Sequence, residues 1–247
     1  MSGVAEMETT EDLLLDGQVR LIQQKSGYRA AIDPVLLAAS IPARQGDRLV
    51  DLGCGAGAVF ACVAGRVDGV EVIGVERDGA MAELARRTLA LNGLAGRIEA
   101  ADLTALAGTW EAGAIDHVAT NPPYLPADRA DPSPHPGRAA AGVEDGSDLA
   151  AWVAVARRCL RHKGTLTVVH RADRLGDILA ACDRGFGSVT VFPLYPKAGR
   201  DAGRVLVRAV RGGRAPLRLG AGLILHGPDG GYTEAADAVL RGAPLDL

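Results

Sequence analysis

The chain has 247 residues, 48% of them hydrophobic, and a formal net charge of −3 at pH 7. This length suits one large α/β domain, alone or with a small appendage, and the apolar fraction supplies a full core. No apolar run approaches the ~18 residues that a membrane span needs. The acidic segment before Arg20 contains no basic residue, which argues against a secretory signal. We therefore expect a cytoplasmic protein with no membrane partner.

A metal site is not expected either. The cysteines show no C-x-x-C spacing, and the five histidines do not group at the spacing of metal ligands. Reduced thiols are the simplest state for such cysteines in a cytoplasmic protein. The four cysteines are Cys54, Cys62, Cys159 and Cys182.

The N-terminal region is predicted to form a hairpin and a short helix. The pair Asp16-Gly17 separates two apolar runs, which is a signal for a two-residue hairpin turn. A helix is then expected to extend to about Ser40, with Asp33 as its N-terminal cap and Pro34 in its first turn.

A glycine-rich loop follows the first predicted core strand. The strand is Arg48–Leu52, the loop reads Gly-Cys-Gly-Ala-Gly over 53–57, and an Ala- and Val-rich helix is predicted over 58–66. Glycines here permit a tight turn and a close approach of the backbone to a ligand. Ala58 stands where a dinucleotide fingerprint has its later glycine, so the match to an NAD site is imperfect. Asp51, just before the loop, suits a cationic amine better than a pyrophosphate.

Acidic residues also lie at the ends of the next two predicted strands. Glu76 ends the strand 70–76, 23 residues after Gly53, where an acid can accept hydrogen bonds from both hydroxyls of a ribose. Asp102 follows a short strand near 97–100 and can accept from an adenine amino group.

The sequence Asn-Pro-Pro-Tyr at 121–124 follows the predicted strand Ile115–Thr120. Pro122 fixes its own φ at about −65° and disfavours the helical conformation at Asn121, so the backbone aims the Asn side chain. The Asn121 Oδ1 and the Pro122 carbonyl can each accept one hydrogen from an –NH2 group, and Tyr124 can stack on its π system. The motif is typical of a site that holds a planar amino or amide nitrogen. A rigid turn after a buried strand is the structural alternative.

Carboxylate and amide side chains thus stand at four successive strand ends, a pattern typical of a site for S-adenosylmethionine. Open α/β sheets bind their ligands in the crevice beyond the carboxyl ends of the strands. The predicted cofactor-binding residues are Asp51, Gly53, Cys54, Gly55, Glu76, Asp102, Leu103 and Asn121.

The rest of the chain continues the alternation of strands and helices. Six of the 13 prolines lie in 122–136, which makes this loop too long for a simple connection. Further helices are predicted over 79–92, from a cap at Ser147 or Asp148 to Leu160, over 173–183 and over 233–241, and further strands over 165–170, 188–194 and 203–210, with a short hairpin after Leu219. Such alternation indicates right-handed crossovers and a mainly parallel sheet.

Positive charge is concentrated between 197 and 218. Seven basic residues and one acid give this segment a local charge of +6, which leaves −9 for the remainder of the chain. The basic residues are Lys197, Arg200, Arg204, Arg208, Arg211, Arg214 and Arg218. Together with Arg129 and Arg138 of the Pro-rich loop, they predict a phosphate-binding surface beside the crevice. A solvated edge strand guarded by arginines is the alternative.

These motifs together resemble a known enzyme family. Residues 46–124 resemble the class I methyltransferases, and Asn-Pro-Pro-Tyr resembles their branch acting on adenine N6, cytosine N4, guanine N2 or glutamine Nδ. Over about 12–225 the chain is similar to the bacterial tRNA(Val) adenine-N6 methyltransferases, which modify the adenine just 3′ of the anticodon. The segment 27–37 resembles that family's Gly-Tyr/Phe-Arg…Asp-x-x-Leu-Leu element, although Ile32 and Pro34 stand where members often carry Thr or Ser.

The resemblance implies an architecture and further site residues. It implies a Rossmann-like sheet of about seven strands with an antiparallel last strand. It also implies three parts: an N-terminal hairpin and helix covering the site (1–45), the methyltransferase domain (46–215) and a C-terminal extension (216–247). Asp33 is a further predicted cofactor-binding residue. The predicted substrate-binding residues are Tyr28, Arg29, Tyr124, Arg129 and Arg200. We expect a monomer or a weak homodimer.

The expected reaction is S-adenosylmethionine-dependent N6-methylation of adenine in RNA, in tRNA(Val) next to the anticodon. Asn121, Pro122 and Tyr124 are the predicted catalytic residues. Alternatives are a guanine-N2 rRNA methyltransferase and a glutamine N-methyltransferase acting on a protein such as a release factor, although the latter resembles chains with a longer helical N-terminal domain. A DNA amino-methyltransferase usually adds a target-recognition domain. The intact Asp51 and Glu76 argue against a non-enzymatic binding module.

Overall fold

The structure is a computed structural model that describes residues 8–26, 29–103, 113–122, 125–126, 143–144 and 149–247. Its strands are β1 (Thr9–Leu14), β2 (Val19–Gln24), β3 (Arg48–Leu52), β4 (Glu71–Glu76), β5 (Gly96–Ala100), β6 (Ile115–Thr120), β7 (Leu125–Pro126), β8 (Val143–Glu144), β9 (Leu160–Arg171), β10 (Phe186–Lys197), β11 (Arg204–Arg211), β12 (Arg218–Leu219) and β13 (Leu223–His226). Its helices are α1 (Ile32–Ala39), α2 (Ala58–Arg66), α3 (Gly79–Leu91), α4 (Leu149–Cys159), α5 (Leu175–Cys182) and α6 (Glu234–Leu240).

Nine of the described strands form the central sheet. Their order is β12-β10-β11-β9-β6-β3-β4-β5, and β13 also pairs with β10. The five neighbouring strands β9, β6, β3, β4 and β5 are parallel to one another. Strand β11 is antiparallel to both of its neighbours, β9 and β10. The central strands β3 and β6 are buried over most of their length, as expected for parallel strands covered by helices on both faces. The predicted α/β sheet with an antiparallel last core strand is confirmed, and β12 and β13 extend it beyond seven strands.

Helices cover both faces of this sheet. One hydrophobic cluster joins residues of α1, α2, α3 and α6 to one face, and a second joins residues of α4 and α5 to the other. The N-terminal hairpin of β1 and β2 packs outside α2 and α3. The Asn92 side chain fixes it there, because its amide accepts from the Arg20 N–H at 2.9 Å and donates to the Arg20 carbonyl at 2.7 Å. None of the described helices has the length and hydrophobicity needed to cross a membrane.

Two local predictions were wrong, and a third is confirmed. The hairpin turn has four residues rather than two, because Leu14 pairs with Val19 and the buried Leu15 takes up a left-handed conformation, with φ of 50°. Helix α1 begins at Ile32, so Asp33 lies inside its first turn instead of capping it, and accepts a hydrogen bond from Arg204. The short hairpin predicted after Leu219 is confirmed, because β13 turns back at 227–231, where His226 bridges Tyr232 in antiparallel fashion and the Thr233 N–H donates to the Leu225 carbonyl at 3.0 Å.

The start of β6 is anchored by a buried histidine. His117 Nε2 lies 3.0 Å from Asp47 Oδ2, and its Nδ1 lies 2.7 Å from Thr165 Oγ1 of β9. Burial lowers the pKa of His117, and Asp47 opposes that effect without reversing it. The contacts tie the strand that ends at the candidate site to two of its neighbours.

We expect this histidine to make the fold sensitive to mild acid. Its pKa is lower in the folded than in the unfolded chain, so below the ordinary histidine pKa the unfolded chain binds the proton more readily. Stability should therefore fall as the pH drops from about 6.5. His117→Gln should show a smaller loss of melting temperature between pH 7 and pH 5 than the unmodified chain. Equal losses in the two proteins would contradict this assignment.

Candidate functional site

The predicted cofactor residues of three strands meet at one edge of the sheet. β3 lies between β4 and β6 and runs parallel to both, so the three strands end side by side. In this register Asp51 pairs with Gly74, and Leu52 pairs with Thr120. Asp51, Glu76 and Asn121 therefore lie at neighbouring positions on the carboxyl edge, where α/β sheets bind ligands.

The loop between β3 and α2 is built on three glycines in the left-handed region. Gly53, Gly55 and Gly57 have φ of +67°, +54° and +96°. A side chain at Gly53 would lie 2.7 Å from the Trp152 ring, and one at Gly57 would lie 2.2 Å from the Phe60 ring. At Gly55 the nearest atom would be 3.8 Å away. Aromatic side chains therefore pack closely against the loop at Gly53 and Gly57, whereas there is free space next to Gly55.

Asp51 is a buried carboxylate with one unsatisfied oxygen. Its Oδ2 accepts a hydrogen bond from the Phe60 N–H in the first turn of α2 at 3.3 Å, whereas Oδ1 has no partner among the described residues. The pKa of Asp51 is raised to about 8, mainly by burial; the Phe60 N–H opposes this rise, and the negative charge of Glu76 contributes to it. A buried acceptor without a donor is costly. A cationic ligand group at the loop would satisfy this oxygen and favour its charged form.

Glu76 is held against the glycine loop by two backbone amides. Its Oε2 accepts from the Gly55 N–H and its Oε1 from the Asp78 N–H, both at 2.9 Å. Each carboxylate oxygen has further acceptor capacity beyond one hydrogen bond. The two hydrogen bonds fix the orientation of the side chain. Because the side chain is half-buried, it is still accessible to a ligand with two hydroxyls.

Three other residues predicted to bind the cofactor, Cys54, Asp102 and Leu103, lie in different surroundings from Asp51 and Glu76. The Cys54 thiol is buried against Gly74, and the Cys54 N–H already donates to the Val75 carbonyl at 2.9 Å. Burial raises the pKa of this thiol well above its ordinary value, so it is not a nucleophile. Asp102 is half-buried just after β5, and Leu103 is buried in the hydrophobic cluster that includes α4.

Asn121 and Pro122 follow the end of β6, half-buried and buried respectively. Thr120 fixes their position, because its Oγ1 donates to the Leu52 carbonyl of β3 at 3.1 Å. Sequence reasoning missed Thr120, although a polar residue directly before Asn121, after the apolar pair Val118-Ala119, was a signal for it. It also missed Trp152, whose ring lies against the glycine loop.

The predicted substrate-binding residues lie in different surroundings. Arg29 is bound to the N-terminal hairpin, where it donates to Thr10 Oγ1 at 2.8 Å and forms an ion pair with Asp12. Arg200 is exposed in the turn between β10 and β11. Asp33, predicted to bind cofactor, pairs with Arg204 at 3.2 Å. The predictions for Tyr28, Tyr124, Arg129 and Arg138 lie outside the described residues.

The basic segment 197–218 does not form one surface. Because β11 is antiparallel to its neighbours, it begins at the carboxyl edge, where Arg204 pairs with Leu194, and ends at the opposite edge, where Arg211 pairs with Phe186. At about 3.4 Å per residue, these ends are about 24 Å apart. Lys197, Arg200 and Arg204 thus lie at the carboxyl edge, and Arg211 and Arg214 lie at the opposite edge. Arg208 and Arg218 are both level with Thr190, in the middle of the sheet. The prediction of one surface beside the crevice was wrong.

Within the described part of the chain, no group of three or more His, Cys, Asp or Glu side chains is placed to hold a metal ion. The loop and strand ends instead offer hydrogen-bond acceptors and open backbone. This donor set suits an organic ligand that carries a cationic group and a diol.

Several known proteins that this chain resembles are described as methyltransferases. The family model described as "Methyltransferase small domain" matches residues 29–134. A tRNA1(Val) (adenine(37)-N6)-methyltransferase of Aeromonas hydrophila is 26% identical over 220 residues, 88% of this chain and 90% of that protein. The same organism's ribosomal RNA small subunit methyltransferase C is 39% identical over 89 residues, 36% of this chain and 25% of that protein.

A solved structure covers almost the same extent. It is a protein of Agrobacterium tumefaciens described as a predicted O-methyltransferase, and it is 31% identical with a TM-score of 0.72. The alignment covers 87% of this chain and 99% of that protein.

Proposed function

We propose that this chain, which belongs to the class I S-adenosylmethionine-dependent methyltransferases, methylates the N6 amino group of an adenine in RNA. Membership rests on the matching family model and on the relative that is 31% identical and almost entirely covered. The chain is therefore a methyltransferase, and S-adenosylmethionine is its cofactor. RNA as the substrate, and tRNA(Val) next to the anticodon as the target, are the proposal.

The observation that carries this proposal is the position of Asn121-Pro122. The pair follows β6 directly beside the end of the Asp51 strand, and Thr120 bonds the two strands together at this edge. An amide oxygen and a carbonyl oxygen next to a cofactor loop form an acceptor pair for an –NH2 group. The name of the A. hydrophila relative, which aligns with 88% of this chain, supports adenine N6 as that group.

The residues of the chain have distinct roles in this proposal. When bound, S-adenosylmethionine supplies an electrophilic methyl group on a sulfonium. Asp51 Oδ1 would accept from its amino group, and Glu76 would accept from its ribose hydroxyls. Asn121 Oδ1 and the Pro122 carbonyl orient the target –NH2 and stabilise the positive charge that develops on nitrogen. Alignment of the target nitrogen with the methyl group and the sulfur supplies much of the remaining rate enhancement.

The region before 46 is proposed to cover this site. The Asp33–Arg204 ion pair attaches α1 to the start of β11 at the carboxyl edge. Since Arg29 is held by the hairpin, α1 and the hairpin can form one wall beside the crevice.

The proposal can be tested by mass spectrometry of nucleosides. Total tRNA from a deletion strain is treated with the purified protein and isotopically labelled S-adenosylmethionine, and rRNA and a release factor are treated in parallel. We expect labelled N6-methyladenosine in one tRNA. Label only in methylated guanine of rRNA, only in protein, or only on an oxygen atom would overturn the proposal.

A guanine-N2 methyltransferase of rRNA is the second candidate. One observation favours it, namely the 39% identity to the ribosomal RNA small subunit methyltransferase C over 89 residues. That match covers a quarter of the relative, whereas the tRNA relative is covered over 90% of its length. We therefore place adenine in tRNA first.

Asp51 should couple cofactor binding to pH. Its pKa of about 8 in the free protein means that much of it is protonated at neutral pH. A cationic group beside Oδ1 favours the charged form, so binding should release a proton and the affinity should rise with pH up to about 8. Calorimetry from pH 6 to pH 9, in two buffers of different ionisation enthalpy, measures both effects.

The matched variant is Asp51→Asn. It removes this titration and leaves the titration of the cofactor's own amine unchanged, so the difference between the two proteins isolates Asp51. Identical pH profiles and identical proton counts for both proteins would mean that Asp51 does not contact the cationic group.

A further inference from the structure

The edge of the sheet opposite the proposed cofactor site carries a second group of cations. It consists of Arg157 and Arg158 at the end of α4, Lys163 in β9, Arg184 before β10, and Arg211 and Arg214 at and after the end of β11. We call these six residues the far-edge surface. Four separate segments contribute to it, so the sequence does not show it as a cluster.

Backbone contacts hold these segments together. Arg157 Nη1 donates to the Arg184 carbonyl at 3.2 Å, and Lys163 Nζ donates to the Gly212 carbonyl at 3.3 Å. The Gly212 N–H in turn donates to the Gly185 carbonyl at 2.9 Å. Between α4 and the strand ends lies an open groove of about 590 Å³, lined by Ala154, Val155, Arg157, Arg158, Gly185 and Arg211.

The six cations give this surface an excess of positive charge, although the exposed Asp183 directly precedes Arg184. None of the six cations forms an ion pair with a described residue, whereas nearby Arg161 is paired with Asp116. Arg158, Lys163, Arg184 and Arg214 are exposed. In a chain with a net charge of −3, such an accumulation creates a positive potential that attracts a polyanion.

Stabilisation of a helix end does not account for the whole surface. Cations in the last turn of a helix interact favourably with its dipole, and that explanation fits Arg157 and Arg158 of α4. Arg211 and Arg214 come from a strand end and the turn after it, where no such dipole acts. An open groove between both groups fits an extended ligand with several phosphates better than a single small anion.

We propose that the far-edge surface binds the phosphate backbone of a helical part of the RNA substrate, about 24 Å along the sheet from the crevice that receives the target base. This inference rests on the proposed RNA substrate. Phosphate contacts set the position and orientation of a nucleic acid without reading its sequence. An RNA longer than the target stem-loop would thus be held at two places, by the carboxyl edge at its unpaired loop and by the far edge at a helix.

The test compares two RNA probes and one double variant. The probes are an in vitro transcribed full-length tRNA(Val) and its isolated anticodon stem-loop. The variant is Arg158→Gln with Arg214→Gln, two exposed positions whose replacement leaves the buried contacts intact. On full-length tRNA, the slope of log affinity against log salt should decrease by about 1.4–1.8, which corresponds to two contacts. On the stem-loop the slope should stay unchanged.

Two controls separate the specific charges from net charge and folding. Arg158→Lys with Arg214→Lys keeps both charges and should keep the slope. Arg87→Gln with Arg241→Gln removes the same charge from exposed positions on α3 and after α6, and should also leave the slope unchanged. Two results would overturn the far-edge proposal alone. In the first, the Arg158→Gln/Arg214→Gln variant has the same salt slope on full-length tRNA as the unmodified chain. In the second, the salt slope of this variant decreases equally on full-length tRNA and on the stem-loop. Failure of the unmodified chain to bind or methylate either RNA would overturn the proposed function and this inference together.

Discussion

Replacing Asn121 by alanine is expected to lower the rate of methyl transfer by about 10²–10³-fold, while the affinity for S-adenosylmethionine stays within about three-fold. The Asn121 amide is proposed to act on the substrate nitrogen, and its interaction strengthens as that nitrogen becomes positively charged. Removing an interaction that is made mainly in the transition state lowers kcat and kcat/KM together. The Pro122 carbonyl remains as one acceptor, so activity should be reduced but not abolished.

Single-turnover kinetics with saturating RNA and calorimetry of the free protein with cofactor measure the two quantities separately. Gln45→Ala is the matched control, because it removes a side-chain amide from an exposed position just before β3, at the edge of the sheet opposite the site. It should leave both cofactor affinity and transfer rate near those of the unmodified chain. Transfer by Asn121→Ala within a few-fold of the unmodified rate would reject the catalytic role of Asn121.

The core of the fold and the place of the site were predictable because local sequence and global structure agree there. Strand β3, the glycine loop and α2 lie where apolar runs and turn residues predicted them, and β6 has the predicted bounds. Each of the three loop glycines has a positive φ, so the spacing reflects a backbone requirement. Parallel strands bring their carboxyl ends to one edge, which made Asp51 and Glu76 neighbours by topology alone.

Features that depend on strand direction and on competing partners were not predictable from the sequence. Periodicity identifies β11 as a strand, but the separation of Arg204 from Arg211 follows from its antiparallel direction and the length it spans. Asp33 and Pro34 look like a cap and a first helical residue, yet the helix begins at Ile32, two residues before Pro34. The Asp33 carboxylate instead bonds to Arg204, a residue 171 positions away. The hairpin turn shifted because burial of Leu15 outweighed the local preference of Asp-Gly.

The second large effect is expected at Glu76. Glu76→Ala should weaken cofactor binding by about 1–3 kcal/mol, or roughly 5–150-fold, since the ribose hydroxyls lose their acceptor. The structure adds a complication, because Glu76 also accepts from the Gly55 and Asp78 amides. Its loss therefore removes support from the glycine loop as well as a ligand contact, and the total effect alone does not show which one matters.

The two contributions separate when the ligand is changed together with the protein. S-adenosylhomocysteine and its 2′,3′-dideoxy analogue differ only in the ribose hydroxyls. If Glu76 binds the diol, the unmodified chain should prefer the hydroxylated ligand strongly and Glu76→Ala should lose most of that preference. Glu71→Ala, at the other end of β4, is the matched control and should keep the preference. If Glu76→Ala binds both ligands more weakly but discriminates between them as well as the unmodified chain, Glu76 supports the loop and another residue binds the ribose.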